Sequence, residues 1–337
     1  MPAVHITGLG GYLPERVLSN HDLESLVETT DEWIRERTGI RQRHIIDKSQ
    51  ATSDMAVAAA QQALDDAGLN ISDIDALVVA TATPDMIFPA TSTIVQAKLG
   101  GNSFPAWDVQ AACSGFVYGL AHLDAMMRAG IFRRTLLIGA EAMTRIVDWT
   151  DRSTCVLFGD GAGAVVLEAR DEEGGIVGSV LHADGKHRDL LMAEYAHRHG
   201  SPDAPAEERA DLHVDSAGVA AVEMQGNEVF RMAVTMLGKV VSEVLKAHEL
   251  EQGDVDWLIP HQANLRIIQA TAKKLKLDMK HVAVTVDQHA NTSAASVPLA
   301  LNSMYREGRF SAGQLLLLEA FGAGFVWGAN LLRWSKS

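Results

Sequence analysis

The chain has 337 residues, 47% hydrophobic and 21% charged, enough for one large core or two ordinary ones. Its formal charge of -14 argues against a general nucleic-acid binder, which needs clustered positive charge. Only two cysteines are present, Cys113 and Cys155, without CxxC pairing. A disulfide framework or a metal site is therefore not expected, and a reducing, cytoplasmic setting is.

The first ten residues lack the basic region and apolar core of a secretory leader, so none is expected. Short apolar runs then alternate with helical patterns along the chain, which predicts an α/β fold. An internal repeat runs through these elements. Asp73-Ile-Asp-Ala-Leu-Val-Val-Ala is similar to Asp254-Val-Asp-Trp-Leu-Ile-Pro-His, about 180 residues later. Phe104-Pro-Ala-Trp-Asp-Val-Gln-Ala-Ala-Cys is similar to Val282-Ala-Val-Thr-Val-Asp-Gln-His-Ala-Asn, and Thr135-Leu-Leu-Ile-Gly-Ala-Glu to Gln314-Leu-Leu-Leu-Leu-Glu-Ala. The common order predicts two similar halves, 1–172 and 173–337, packed as one body and joined through a polar turn at 171–175.

Cys113 follows the apolar run 104–109 and precedes Ser114-Gly115 and a helical pattern from Phe116. That reads as strand, tight turn and helix, with the thiol near a helix N-terminus that would lower its pKa. The alternative from local sequence is an inert buried cysteine. Cys155, before Phe158-Gly-Asp-Gly-Ala-Gly, reads as a core-strand residue without chemistry. The glycines 159–163 do not open a helix, so a nucleotide loop is rejected in favour of a tight hairpin between strands.

Residues 194–217 are rich in polar groups and Pro, and read as an exposed excursion or cap. His261 ends the apolar run Trp257-Leu-Ile-Pro, the usual place for a site in an α/β sheet. Asn291 offers an amide donor that never changes charge. Two such neutral donors suit the stabilisation of a developing enolate. His289 and His122 are the rival histidines among 13. The stretch 264–277 reads as a helix carrying Arg266, Lys273 and Lys274. The apolar segment 315–332, broken by Glu319 and glycines, reads as strand, turn and strand rather than a membrane span.

In combination these segments resemble the β-ketoacyl-acyl-carrier-protein synthase III family of the thiolase superfamily. The resemblance runs almost end to end. It rests on Thr29-Thr-Asp-Glu-Trp33-Ile-Arg-Glu-Arg37-Thr-Gly-Ile-Arg, the Cys113 turn, Thr150-Asp-Arg152 and Phe158-Gly-Asp-Gly-Ala-Gly. It continues through Gly226-Asn-Glu-Val-Phe, His261-Gln-Ala-Asn-Leu-Arg and Asn291-Thr-Ser-Ala-Ala-Ser.

The resemblance implies a five-layer αβαβα fold, a homodimer and no cofactor, acyl-CoA being a substrate. It implies that Cys113, His261 and Asn291 are catalytic, and that an acyl-cysteine condenses with malonyl-acyl carrier protein to initiate fatty acid biosynthesis. Backbone N–H groups of Cys113 and Ala323 would form the oxyanion hole, although the family usually has glycine at the latter position and before the catalytic asparagine, where this chain has Ala290. Thr29, Trp33, Arg37, Arg152 and Asn264 match contacts to CoA, with Trp33 and Arg152 sandwiching the adenine. Without that match Arg35, Arg37, Arg41 and Arg43 read as a solvated charged face. Phe88, reaching across the dimer, joins Met143, Phe158, Leu190 and Val222 as acyl-pocket positions. Arg231, Arg266, Lys273 and Lys274 match a docking patch for the acidic carrier. A secondary-metabolite ketosynthase with a longer or aromatic donor, and a non-catalytic carrier-binding protein, are the alternatives.

Overall fold

A computed structural model describes residues 2–193 and 221–336. The stretch 194–217, read above as an excursion, lies outside the described residues. Strands β1 (Ala3–Tyr12), β2 (Ala76–Ala80), β3 (Ala106–Val109), β4 (Arg134–Ala142) and β5 (Asp160–Arg170) form one sheet in the order β1-β5-β4-β2-β3. Strands β6 (Gly175–Ala183), β7 (Trp257–Pro260), β8 (Leu315–Gly322) and β9 (Val326–Arg333) form a second, in the order β7-β8-β9-β6.

The two sheets follow one plan. β2 is parallel to β3 and β4, whereas β4, β5 and β1 succeed one another antiparallel. Likewise β7 is parallel to β8, with β8, β9 and β6 antiparallel in turn. Val282 makes a parallel bridge to Leu258 on β7, where β3 lies in the first sheet. The repeated sequence segments occupy corresponding strands. Parallel strands buried on both faces explain the continuous apolar runs Ala-Leu-Val-Val-Ala and Trp-Leu-Ile-Pro.

Helices complete five layers. Helix α1 (Asp31–Thr38) lies near the site, and α2 (Thr52–Ala67) covers the outer face of the first sheet. On α2, Met55, Ala56, Ala59, Ala60, Ala63 and Leu64 recur at helical spacing and are buried against Leu77, Val79, Leu136 and Ile138. Helix α3 (Gly115–Arg128) and, much later, α6 (Ser296–Arg306) fill the middle layer. There Phe116, Leu120, Val297 and Leu301 meet Val78 and Leu137 from one sheet and Leu316 and Leu318 from the other. Between them in sequence, α4 (Gly226–Ala247) and α5 (Leu265–Lys274) cover the far side, where Val229, Leu237, Val241 and Ile268 bury Leu317, Ala329 and Leu331.

Three local expectations are corrected. Residues 159–163 do not turn a hairpin; from Asp160 they run inside strand β5. The glycine at 163 admits helix α6: a Cβ there would lie 2.7 Å from the Leu299 amide nitrogen. Cys155 ends a short helix, Arg152–Cys155, rather than lying in a strand, because Asp151 caps that turn through the Ser153 amide. Arg43 belongs to no solvated face. It is fully buried, donating to Leu18 O, Asn20 Oδ1 and Val156 O at 3.2, 3.0 and 2.9 Å. Burial lowers its pKa to about 10. By contrast Arg35 is exposed and pairs with Asp31.

Candidate active site

Parallel strands end together, and the loops that leave them converge on the seam between the two sheets. After β3 the chain makes a 3₁₀ turn, Ala112–Ser114, and enters α3, which places Cys113 just ahead of that helix. Ala112 takes φ 44 to make the turn. His261 follows β7 directly, its N–H donating to Glu319 O at 2.8 Å. Asn291 arrives on a segment that bridges Phe158: the Asn291 amide donates to Leu157 O, and the Gly159 amide donates to Asn291 O.

Cys113, His261 and Asn291 line one cavity of about 550 Å³. They are 8%, 6% and 6% exposed. Neither His289 nor His122 lines it. Beside Cys113 the backbone is crowded, since a Cβ on Gly322 at the end of β8 would stand 2.8 Å from the Cys113 amide nitrogen. Ala323, next along and lining the cavity, is not among the non-glycine residues at positive φ, so a side chain is admitted there. Ala290 differs. It is buried at φ 58, ψ -159, a conformation almost confined to glycine.

Hydrogen bonds orient the polar groups. The Ser293 N–H donates to Asn291 Oδ1 at 2.9 Å, which leaves the Asn291 amide nitrogen free to donate into the cavity. His261 Nδ1 is 2.5 Å from Ser296 Oγ, and that oxygen also accepts the Gln262 N–H. Nε2 is the ring nitrogen left for the cavity. Burial holds His261 at a pKa of about 4, so it is neutral near pH 7. The same force corrects the expected thiol: desolvation pushes Cys113 up to about 12, outweighing a favourable hydrogen bond from Ser293. The resting site therefore pairs a thiol with a neutral imidazole. Cys155 is fully buried outside the cavity, its thiol raised to about 11 by burial.

The profile of 3-oxoacyl-[acyl-carrier-protein] synthase III matches residues 107–185, and that of its C-terminal region matches 245–334. The β-ketoacyl-[acyl-carrier-protein] synthase III of Thioalkalivibrio sulfidiphilus is 53% identical over 333 residues, spanning 99% of this chain and 100% of the relative. This chain belongs to the β-ketoacyl-[acyl-carrier-protein] synthase III family. Its members are acyl-transferring condensing enzymes, and the fold is the thiolase-like one. The 3-oxoacyl-[acyl-carrier-protein] synthase III of Aquifex aeolicus superposes with a TM-score of 0.89 at 41% identity, covering 98% of this chain and 100% of that one. The priming β-ketosynthase of the R1128 polyketide pathway gives 0.90 at 34% identity, covering 99% and 97%.

Within this synthase fold the remaining expected positions distribute unevenly. Trp33, Arg37 and Asn264 line the mouth of the cavity. The guanidinium groups of Arg37 and Arg152 stand 4.5 and 4.8 Å from the Trp33 ring centroid. Arg152 also donates to Glu28 O at 2.8 Å, and neither it nor Thr29 lines the cavity. The Asn264 side chain donates to Arg37 O and caps α5 by accepting the Arg266 N–H. Met143, Phe158 and Val222 form a buried part of the cavity wall, beside half-buried Leu191 and Met192. Leu190 packs against the same core but not on the cavity. Phe88 is 82% exposed beside Ile87, at 77%. Arg266 lies over Phe230 at the mouth, Arg231 is paired with Glu228, and Lys274 donates to Val234 O. Lys273 is exposed on α5.

Three contributors escaped the sequence reading: Ser293, Ser296 and Glu141. Both serines stand in Asn291-Thr-Ser-Ala-Ala-Ser, which marked the segment without assigning them a part. No local signal singles out Glu141 on β4. No helix among the described residues is long and apolar enough to cross a membrane, and none of their His, Cys, Asp or Glu side chains group to hold a metal.

Proposed function

We propose that this chain, without a cofactor, condenses an acyl-CoA primer with malonyl-acyl carrier protein, in the cytoplasm, to open fatty acid biosynthesis. The observation that carries the reading is a sulfur, a neutral imidazole and a free amide donor lining one buried cavity. The Cys113 sulfur attacks the thioester carbonyl. Negative charge forming on that oxygen is held by the backbone N–H groups of Cys113 and Ala323. CoA leaves, and the acyl group waits on sulfur while the second substrate binds.

Decarboxylation of the malonyl thioester then breaks a carbon–carbon bond and leaves an enolate. Ser296 donating to His261 Nδ1 leaves the ring proton on Nε2, where it faces the enolate oxygen beside the Asn291 amide. Two neutral donors stabilise that oxygen without protonating it, so its carbon stays nucleophilic. The carbon attacks the acyl-cysteine, the bond to sulfur breaks, and a β-ketoacyl product departs.

The reading divides the chain into an N-terminal half, 1–172, that brings the nucleophile, and a C-terminal half, 173–337, that brings the donors. CoA is held at the mouth by Trp33 and Arg37 with Arg152, Thr29 and Asn264. The carrier docks on Arg231, Arg266, Lys273 and Lys274, whose positive charge suits an acidic partner despite the chain's net charge of -14. The protein acts as a homodimer in which exposed Phe88 joins Met143, Phe158, Leu190 and Val222 around the partner's acyl group. Full-length relatives at 52–54% identity bear the synthase III name, which favours primary metabolism.

Incubation with acyl-CoA followed by intact mass measurement tests this. A single acyl adduct lost in Cys113→Ala is expected, whereas no adduct would indicate a carrier-binding protein without catalysis. A panel of acyl-CoA donors, offered malonyl-acyl carrier protein or malonyl-CoA and scored by product mass, sets the donor range.

A further inference from the structure

A thiol held at about 12 must lose its proton as it attacks, and the neutral His261, at about 4, is a poor acceptor. Glu141 on β4 is fully buried close by. Its Oε2 accepts from Thr83 Oγ1 at 2.6 Å, Ala82 N at 3.0 Å, Thr83 N at 3.1 Å and Thr81 Oγ1 at 3.2 Å. No lysine or arginine among the described residues is paired with it. The donors favour the ionised carboxylate, while burial raises its affinity for a proton. Such a group is poised to accept one.

Its other oxygen points at the site. Oε1 accepts from Ser293 Oγ at 2.9 Å and from the Ala294 amide at 3.4 Å. Ser293 is held by its own amide on Asn291 and by a left-handed backbone, φ 48. Ser293 and Cys113 line the same cavity, and the Ser293 hydroxyl favours the ionised thiol. A hydroxyl has one proton and two lone pairs. With Glu141 ionised, the proton goes to the carboxylate and a lone pair is left for the thiol hydrogen.

Resting on the condensing reading above, we propose that Ser293 and Glu141 form a relay that takes up the Cys113 proton as the sulfur attacks the acyl thioester. The S–H bond breaks as the S–C bond forms, and that proton goes to Ser293 Oγ. The original Ser293 hydroxyl proton passes to Glu141 Oε1. Negative charge moves from the carboxylate to the tetrahedral oxyanion. When the oxyanion collapses and the C–S bond to CoA breaks, Glu141 returns its proton to Ser293 Oγ, and the Ser293 hydroxyl gives its own proton to the departing CoA sulfur. Ser293 meets the substrate only as it hands that proton to the leaving sulfur, and Glu141 acts through Ser293.

The test follows two reactions of one sulfur, acylation by acyl-CoA and alkylation by iodoacetamide, by mass spectrometry on the full chain, with buried Cys155 as internal control. Glu141→Gln removes the acceptor and also a negative charge beside the sulfur. Acylation should fall about 100-fold, while alkylation proceeds at or above the wild-type rate. Ser293→Ala and Ser293→Gly cut the path with Glu141 in place, and should lower acylation similarly even if Glu141→Gln fails to fold. Variants acylated at the wild-type rate overturn the relay, and so does a parallel fall in both reactions, which marks a structural role. If the wild-type protein itself takes no acyl group, the condensing reading fails instead, a distinct result.

Discussion

The two sheets share a strand order and a pattern of parallel and antiparallel pairing, yet they deliver different chemistry to their common seam. The first brings a sulfur ahead of α3 and a buried carboxylate, Glu141, ringed by donors. The second brings the neutral His261 and Asn291, and buries Glu319 with no hydrogen-bond partner on either oxygen among the described residues. One plan of backbone thus serves two electrostatic tasks. What differs is which strand end meets a donor-rich loop, and that is decided by tertiary placement rather than by strand pattern.

The sharpest way to break this comparison is to disable one half's contribution. Asn291→Ala should cut condensation by about 10²–10³-fold and slow acyl transfer to Cys113 far less, through the lost hold on the Ser293 amide. Loss of both steps together would show that the halves do not divide the labour. The next effect separates the glutamates. Burial alone pushes Glu319 up to about 8 from an ordinary 4.5. Its folded pKa is the higher, so its favourable contribution is complete below about 4.5 and disappears as pH rises through about 8. The stability gap between Glu319→Gln and the wild type should widen in favour of the variant by on the order of 3 kcal/mol between pH 5 and 9, read from urea unfolding. A constant gap would mean Glu319 does not titrate in that range.

Smaller effects sharpen the picture at the mouth, where both halves contribute. Trp33→Ala should raise the KM for acyl-CoA about tenfold and leave the carrier step little changed, whereas Arg266→Ala should do the reverse. Last comes Ala290, held in a conformation costly for a side chain. Ala290→Gly should gain about 1 kcal/mol, seen as a melting temperature about 2 °C higher. An unchanged or lower value would show that the methyl's packing outweighs the strain.

Much of this was legible from the residues in order. The doubled segments foretold corresponding strands, and abrupt polar endings at His261 and Asn291 marked where apolar strands stop. The failures share a cause. Gly163 looked like a turn because nothing local reveals that α6, more than 130 residues later, crosses it. Arg43 looked solvated because its acceptors lie on segments near 18, 20 and 156. The thiol was expected to be acidic from its helix, but burial by both sheets dominates. Glu141 needed four separated stretches to become a candidate at all. Periodicity reports what faces a core; it does not report which groups the core brings together.

Gly322 restricts how the molecule can move. With no room even for a methyl between it and the Cys113 amide, the end of β8 is keyed directly against the turn that carries the sulfur. Parting the two sheets at this point would break that contact and disturb the turn. The rim around Trp33 and Arg152 lies away from that contact and can shift without disturbing it. Stiffening that rim should slow substrate capture and product escape, while the chemistry behind it keeps its pace.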